Sequence, residues 1–474
     1  MSRETAILCT LVVYKICLIA IGLYYRRKTH DAVDFYLGGR KLGPLVSAIS
    51  ASASSSSAWT LLGVSGAAYL WGISAIWLFP SCVGGFILNW YVLAPALRKT
   101  SHQTGAITVT EVLAGKTNSV FRSSISKVAS VIILVSLGTY VSSQFQGAGK
   151  AFSETFNVSL TASILIGGAI VVFYTLLGGF WAVSVTDTLQ GLLMGLTALV
   201  LPIASLSAVG GLEGLVQGLM QVPDSGFLSP IRDFAPVAGV GFILGLLGIG
   251  LGYPGQPHVV NRFMALEDGV SALKIARRIA VAWAMIVYSG MLLLGLAGRV
   301  LVPNLDDPEV VFITLTNQLF HPVVAGIMIA AVLSAIMSTA DSQLLVASSS
   351  VSHDLGFVRH SRLSQLTLSR MVVLVLSAGA ILGAIYGSRE IFSQVLFAWA
   401  AMGCAFGPVL LIQVMSNGIS GRARLICILL GFTLSVIPFY SFPASFAWKG
   451  ALERFFPFLL VLVIGILVLK SKKK

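Results

Sequence analysis

The chain has 474 residues, of which 56% are hydrophobic and only 10% charged, and its mean hydropathy is +0.90. These values exclude an ordinary soluble protein, and long apolar blocks rather than alternating segments of about ten residues exclude a transmembrane β-barrel, which leaves an all-α polytopic membrane protein. The formal net charge of +13 would point to nucleic acid in a soluble chain; here membrane orientation accounts for it, and membrane lipid rather than nucleic acid is the expected partner.

The first apolar block, Thr5 to Tyr25, is too long for a signal-peptide core and has no small-residue cleavage site before Arg26, so it reads as a retained span. The second, at 45–69, contains SAISASASSSSAWTLLGVSGAAYLWGISAIW from Ser47 to Trp77. Its middle is a run of serines, whose hydroxyls compete for nearby backbone groups and weaken a helix. A span broken at mid-bilayer survives only where protein or a watery cavity satisfies the freed groups, and transporters build ion and substrate sites from such breaks. The same composition also fits a continuous helix that packs tightly through small residues.

Further spans follow at 73–95, 124–150, 158–179 and 187–207, then at 236–257, 279–300, 322–350, 370–387, 390–415, 424–441 and 448–469, about thirteen in all. There is no soluble domain or low-complexity linker, so 1–474 reads as a single transmembrane domain. Asp187 begins the sixth span, where a helix N-terminus favours a carboxylate; the alternative is a residue of the ion pathway. The connections 208–235 and 301–321 carry short amphipathic pieces, Leu212–Met220 and Glu309–Leu319, suited to a membrane surface, a lid or a plain connector.

A second interruption is expected at Gly245–Pro257, GLLGIGLGYPGQP, because its glycines and prolines cannot sustain a regular helix to its end. A glycine-rich packing helix is the other reading. The two interrupted spans lie five apart and run in opposite directions, as an inverted repeat of spans two to six and seven to eleven requires. The first repeat covers about 45–207 and the second about 236–415, with peripheral helices at 5–25, 424–441 and 448–469. The polar segment Ala335–Ser350, AIMSTADSQLLVASSS, places Ser338 and Ser342 on one helix face with Thr339 adjacent. Hydroxyls with exposed carbonyls suit a small hard cation, although membrane hydroxyls also bond back to their own helix. Asp341 is a carboxylate inside a span, costly unless it faces a polar interior; it reads either as an ion-pathway residue or as an interhelical hydrogen-bonding group.

Cys9, Cys17, Cys82, Cys404 and Cys427 show neither disulfide nor metal-site spacing. About 23 of the 31 Lys and Arg residues fall on the side that bears Arg26, Arg40, Arg98, Arg262, Arg278, Arg422 and Lys470. That asymmetry orients the N-terminus outside and the C-terminus in the cytoplasm.

Six stretches then identify a resemblance: DFYLGGRKLGPLVSAIS at 34–50, SAWTLLGVSGAAYLWGIS at 57–74, YTLLGGFWAVSVTDTLQG at 174–191, GLGYPGQPHVVNRFMA at 250–265, AIMSTADSQLLVASSSVSHDL at 335–355 and FAWAAMGCAFGPV at 397–409. The chain resembles the sodium:solute symporter family, and in particular its sodium/proline symporter branch. The resemblance implies a five-plus-five inverted-repeat (LeuT-type) core with three additional spans. It implies a sodium site formed by the carbonyls of Ala53, Ser56 and Ala335 and the hydroxyls of Ser338 and Thr339. It places solute near Ser57, Trp59, Gly63, Tyr140, Tyr253 and Pro257, and gives Arg40 a gating role that otherwise reads as a topology charge. Two departures stand out. Ser55 replaces an aspartate tied to sodium use, and Ile249 replaces a pocket tryptophan, which weakens the case for proline itself.

The expected function is therefore sodium-coupled import of a small organic solute, proline or another small amino acid, across a cell membrane by alternating access. No covalent catalysis and no cofactor are expected, with sodium as the coupling ion. The alternatives are a proton-coupled carrier, a carrier of a carboxylate or vitamin, and a membrane sensor that binds solute without accumulating it. The absence of a kinase motif before Lys474 argues against the sensor.

Overall fold

A chain crossing hydrocarbon must satisfy its backbone groups internally, and the apolar blocks do so as helices. The computed structural model describes residues 2–26, 37–115, 120–177, 180–356, 364–416 and 418–471, is 85% helical and has no strands among these residues. Ten helical stretches there are long and apolar enough to cross a membrane, and Leu160–Leu176 and Pro236–Leu251 are shorter apolar helices. Of the charges used for orientation, Arg27, Lys28, Lys116, Arg359, Arg362 and Lys472 to Lys474 lie outside the described residues, as do Asp34 to Tyr36 and Gly178 and Gly179 of the matching motifs.

In chain order, α1 is Arg3–Arg26, α2 is Pro44–Ser55, α3 is Val64–Trp71, α4 is Leu78–Ile87, α5 is Ala94–Thr104 and α6 is Val109–Ala114. The long α7, Arg122–Phe156, is followed by α8, Leu160–Leu177, α9, Phe180–Ala208, and the short α10, Gly211–Met220. Next come α11, Pro236–Leu251, α12, Pro257–Ala265, α13, Val270–Leu301, α14, Val311–Leu319, and α15, Pro322–Ser349. The chain closes with α16, Gln365–Tyr386, α17, Ile391–Met415, α18, Gly421–Ser441, and α19, Phe456–Ser471.

Both expected interruptions are present. α2 stops at Ser55, Ser56 is extended at φ −116° and ψ 93°, and the chain resumes through a π-helical turn, Trp59–Gly63, into α3. α11 stops at Leu251, a 3-10 turn spans Tyr253–Gly255, and Gln256 is extended at φ −99° and ψ 96° before α12. Each break thus turns on one extended residue whose N–H bonds back three residues, Ser56 to the Ala53 carbonyl at 3.1 Å and Gln256 to the Tyr253 carbonyl at 3.3 Å. The second broken helix does not end at Pro257, as the expected span 236–257 had it. Pro257 instead opens α12, because its fixed φ suits a first helical turn and its missing N–H is not needed there.

The packing readings hold beside the breaks. A Cβ on Gly191 of α9 would stand 2.7 Å from Ile49 and 3.0 Å from Ala53, so α2 and α9 approach through small residues. Gly245 and Gly248 of α11 lie against the backbone of Gly450 and Phe455, where an added Cβ would come within 2.9 Å. α2 packs against α9, α12, α13 and α15, while α7 packs against α8, α15, α16 and α17. α17 is buried along its whole apolar window and α15 along most of it; α1, α16, α18 and α19 are the peripheral helices, exposed over much of their length. The five cysteines are free, with Cys82, Cys404 and Cys427 buried.

Candidate functional site

The break in α2 leaves carbonyls at its C-terminal end with no intrahelical donor, and α15 crosses them with its hydroxyl face. The Thr339 hydroxyl donates to the carbonyls of Ala53, at 3.4 Å, and Ser54, at 3.3 Å. The Ser338 hydroxyl reaches the carbonyls of Ala53, at 3.4 Å, and Ala335, at 3.2 Å. Four of the five expected cation ligands therefore converge, and Ser54 joins them; Ser56 is the extended residue beside the cluster. Oxygens about 2.4 Å from a hard cation in octahedral array lie about 3.4 Å from one another, which is the spacing seen here. The C-terminal end of α2 directs its dipole's negative end at the same point.

Next to this cluster lies a charged one. Asp187 of α9 is fully buried, and its Oδ2 accepts from Arg262 Nη2 at 2.9 Å, Ser50 Oγ at 3.0 Å, Ser54 Oγ at 3.2 Å and Ser342 Oγ at 3.4 Å. Arg262 of α12 also reaches Ser50 through Nε at 3.1 Å, Ser342 at 2.5 Å and the His258 carbonyl, and its guanidinium lies 5.2 Å from the Phe180 ring centroid. Asp187 is thus no helix-dipole carboxylate. It ties the first broken helix, α9, α12 and α15 together through a buried ion pair. Arg262, read from sequence as a topology charge, is buried with 1% of its surface exposed. Asp341, one residue before Ser342, is also fully buried, and no side chain among the described residues donates to its oxygens. Ser55 bonds back to the Ser52 carbonyl at 2.9 Å and stays out of both clusters.

The residues expected at the solute form two connected groups around the first break. Tyr140 of α7 donates to Ser57 Oγ at 3.2 Å, Ser57 Oγ in turn accepts the Trp59 N–H at 3.1 Å, and Gln144 caps the Ala58 N–H at 3.0 Å. Trp59 packs on Phe392 of α17 at 5.6 Å between centroids and on Tyr288 of α13 at 6.4 Å. Gly63 lies against the Trp59 and Phe392 rings. Tyr253 joins this wall through a 2.8 Å hydroxyl contact with Tyr288, and packs on Phe86 and Trp399. Ile249 is buried, and its carbonyl accepts from Trp399 Nε1 at 3.0 Å. The Trp59 indole N–H is buried without a hydrogen-bond partner among the described residues. Sequence reasoning missed Tyr288, Phe86, Phe392, Trp399 and Gln144, since each looks like an ordinary residue of an apolar span.

Polar contacts tie the helices together at both ends of this region. On the Arg3 side, Lys150 pairs with Asp307 and Glu309, both at 2.6 Å. Glu309 also accepts the N–H groups of Ile391, at 3.1 Å, and Phe392, at 2.8 Å, at the start of α17. On the other side, Arg40 bonds Ser101 at 2.6 Å, the Ala106 carbonyl at 2.7 Å and the Met264 carbonyl at 3.3 Å. Nearby Glu111 meets His353 at 3.3 Å and Arg122 at 3.5 Å. Burial raises the Glu111 carboxyl, but His353, the Ile107 N–H and Arg122 outweigh it and hold the group below its ordinary value.

The sequence pattern of the Sodium:solute symporter family matches residues 35–431. The osmoregulated proline transporter of Bacillus subtilis is 35% identical, over 99% of this chain and 95% of that one. The sodium/proline symporter of Escherichia coli is 35% identical over 96% and 90%. Among solved structures, a Na+-coupled sialic acid symporter in a substrate-bound outward-open state superposes with a TM-score of 0.75 at 19% identity, covering 98% of this chain and 97% of that one. A nucleobase-cation-symport-1 family transporter superposes with a TM-score of 0.59 at 15% identity, covering 94% and 96%. The chain belongs to the sodium:solute symporter family.

Proposed function

We propose that this protein carries a small amino acid, proline or one of similar size, into the cell together with sodium by alternating access. The observation that carries the reading is the meeting of the broken α2 with α15, where Ala53, Ser54, Ala335, Ser338 and Thr339 present oxygens 3.2–3.4 Å apart. Sodium is cargo at that point, held by carbonyls and hydroxyls, with Ser56 supplying its carbonyl from the edge of the break. The solute lies on the other side of the break, against Ser57, Trp59, Gly63, Tyr140, Ile249, Tyr253 and Pro257. Its carboxylate meets the unpartnered Trp59 indole N–H and the positive end of the helix that begins there. Asp187 and Asp341 keep the cation path polar.

The matching geometry of Ser56 and Gln256 supports the inverted repeat of about 45–207 and 236–415. Charge asymmetry supports an external N-terminus and a cytoplasmic C-terminus. In that orientation Lys150, Asp307 and Glu309 close the outer side and Arg40 the inner. Such a carrier forms no covalent intermediate and needs no cofactor.

The testing experiment is uptake of a panel of labelled amino acids and carboxylates into proteoliposomes, with and without a sodium gradient. Sodium-dependent uptake confined to proline and small amino acids is expected. A carboxylate as the preferred solute would overturn the amino-acid assignment, and binding without accumulation would mark a sensor.

A further inference from the structure

The second break is held differently from the first. Where α11 gives way to α12, one residue of another helix reaches both sides of the gap. Trp399 of α17 is buried, with 4% of its surface exposed. Its indole N–H donates to the Ile249 carbonyl in the last turn of α11, at 3.0 Å. Its ring stands edge-on to Tyr253 within the break, 4.7 Å between centroids and inclined at 78°. Its own carbonyl accepts from Gln256 Nε2 at 3.0 Å, just before α12, and the same amide donates to the Gly252 carbonyl at 3.0 Å.

The backbones meet along this seam. A Cβ on Gly252 would stand 2.5 Å from the Trp399 indole nitrogen, and one on Gly403 would stand 2.6 Å from the Gly252 Cα, an approach that only glycine admits. The Ile249 carbonyl also accepts the Gly252 N–H at 3.1 Å, so both of its lone pairs are engaged. The contact of α17 with the first break has another character. Phe392, seven residues before Trp399, lies on nearly the same face of α17, about 10 Å away. It meets Trp59 by ring packing across 5.6 Å, and the Trp59 indole nitrogen has no hydrogen-bond partner among the described residues. One face of α17 therefore touches both breaks, and it is the second that it holds by directional bonds.

We propose that Trp399 is a positioning residue for solute recognition: by tying Ile249, Tyr253 and Gln256 to α17 it fixes the aromatic wall that the second break turns toward the solute. A wall held in one place discriminates by size, whereas a wall free to shift admits a larger solute. Trp399 acts through Tyr253 and Ile249 and not on the cation. The oxygens of Ala53, Ser54, Ala335, Ser338 and Thr339 belong to α2 and α15, and the hydrogen bonds of Trp399 run to α11 and Gln256. The inference rests on the solute reading above and adds to it a residue that sets selectivity.

The test is equilibrium binding to the purified full-length protein of labelled proline in saturating sodium, its displacement by pipecolate, which is one methylene larger, and radioactive sodium binding without solute. Trp399→Phe keeps a ring against Tyr253 and removes the N–H. It should weaken proline binding roughly three- to tenfold, the worth of one hydrogen bond, and narrow the preference for proline over pipecolate, while sodium binding stays at the parent value. Tyr253→Leu removes the wall itself, so adding Trp399→Phe to it should cost little more. Parent-like proline affinity and selectivity in Trp399→Phe, losses that simply multiply in the double variant, or sodium binding that falls in parallel would each overturn the proposal. If Trp399→Phe is not recovered from the membrane, Gln256→Met decides, because it cuts the bond to the Trp399 carbonyl and leaves the indole in place. Narrowed selectivity there supports the proposal, and parent-like selectivity overturns it. A parent that binds no proline in sodium contradicts the amino-acid reading itself, and this inference with it.

Discussion

At the scale of single residues, the proposed cation cluster and the ion pair make separable demands. Thr339 touches two carbonyls of the broken helix, so Thr339→Ala removes one oxygen and leaves the backbone ligands in place. Losing an interaction with a charged group is worth about 1.5–3 kcal/mol, so half-saturating sodium should rise roughly ten- to a hundredfold, while Thr339→Ser stays near the parent. Sodium titration of uptake checks both, and an unchanged Thr339→Ala removes this residue from the site. Asp187→Asn strands the buried Arg262 guanidinium, a defect of about 3–5 kcal/mol. Denaturant unfolding should show that loss, and Arg262→Met in the same chain should recover part of it. In the proposed pocket, Ile249 bears on solute choice. Its side chain is buried and its carbonyl bonds Trp399, and a change of apolar contacts there is worth about 1–3 kcal/mol, or ten- to two-hundredfold in discrimination. Ile249→Trp should therefore improve proline uptake relative to competing amino acids. Micromolar proline uptake by the parent that Ile249→Trp abolishes would contradict that assignment.

At the scale of elements, the two breaks were legible because serine runs and Gly-Pro clusters are poor helix formers wherever they fall. Asp341 was legible as a carboxylate within an apolar span, whereas Asp187 was read at the start of its span and lies inside α9. Arg262 was not legible, because a charge just past Pro257 looks like a loop residue until α12 carries it back into the protein. Nor were Tyr288, Phe86, Phe392 and Trp399, since an aromatic in a regular apolar span has the same pattern facing lipid or facing a site. The closures are likewise tertiary. Glu309 caps the start of α17 and pairs with Lys150, so it pins the connection leading into α14. Glu309→Gln should speed amide exchange in α14 and at Ile391 and Phe392 roughly tenfold, the worth of a charged hydrogen bond; unaltered exchange would show that the loop is held elsewhere. On the Arg40 side, Glu111 is held below its ordinary value of 4.5, so its stabilising contribution is complete above that pH and is lost as pH falls through the lower folded value. The melting temperature of Glu111→Gln should fall short of the parent at pH 7, and the gap should close in acid below about pH 4.5. A gap that persists there would mean the carboxylate's charge is not what stabilises this end.

At the scale of the whole molecule, buried α15 and α17 form the centre, and α1, α16, α18 and α19 shield it from lipid. Coupled transport requires that the two ends never open together, and the Lys150 ion pairs and the Arg40 hydrogen bonds lie at the two ends of the proposed site. The driving force is sufficient. One charge moving through 100 mV supplies about 2.3 kcal/mol, and a tenfold sodium gradient adds about 1.4 kcal/mol. Together, about 3.7 kcal/mol supports roughly 500-fold accumulation at one sodium per solute. The most direct test is the steady-state accumulation of labelled proline in proteoliposomes whose internal and external sodium are set independently at a fixed membrane potential. Accumulation that rises with the inward sodium gradient, reverses when the gradient is reversed and collapses in Thr339→Ala is the expected result. Proline that merely equilibrates whatever the sodium gradient, or that is concentrated by a proton gradient in the absence of sodium, would contradict the account.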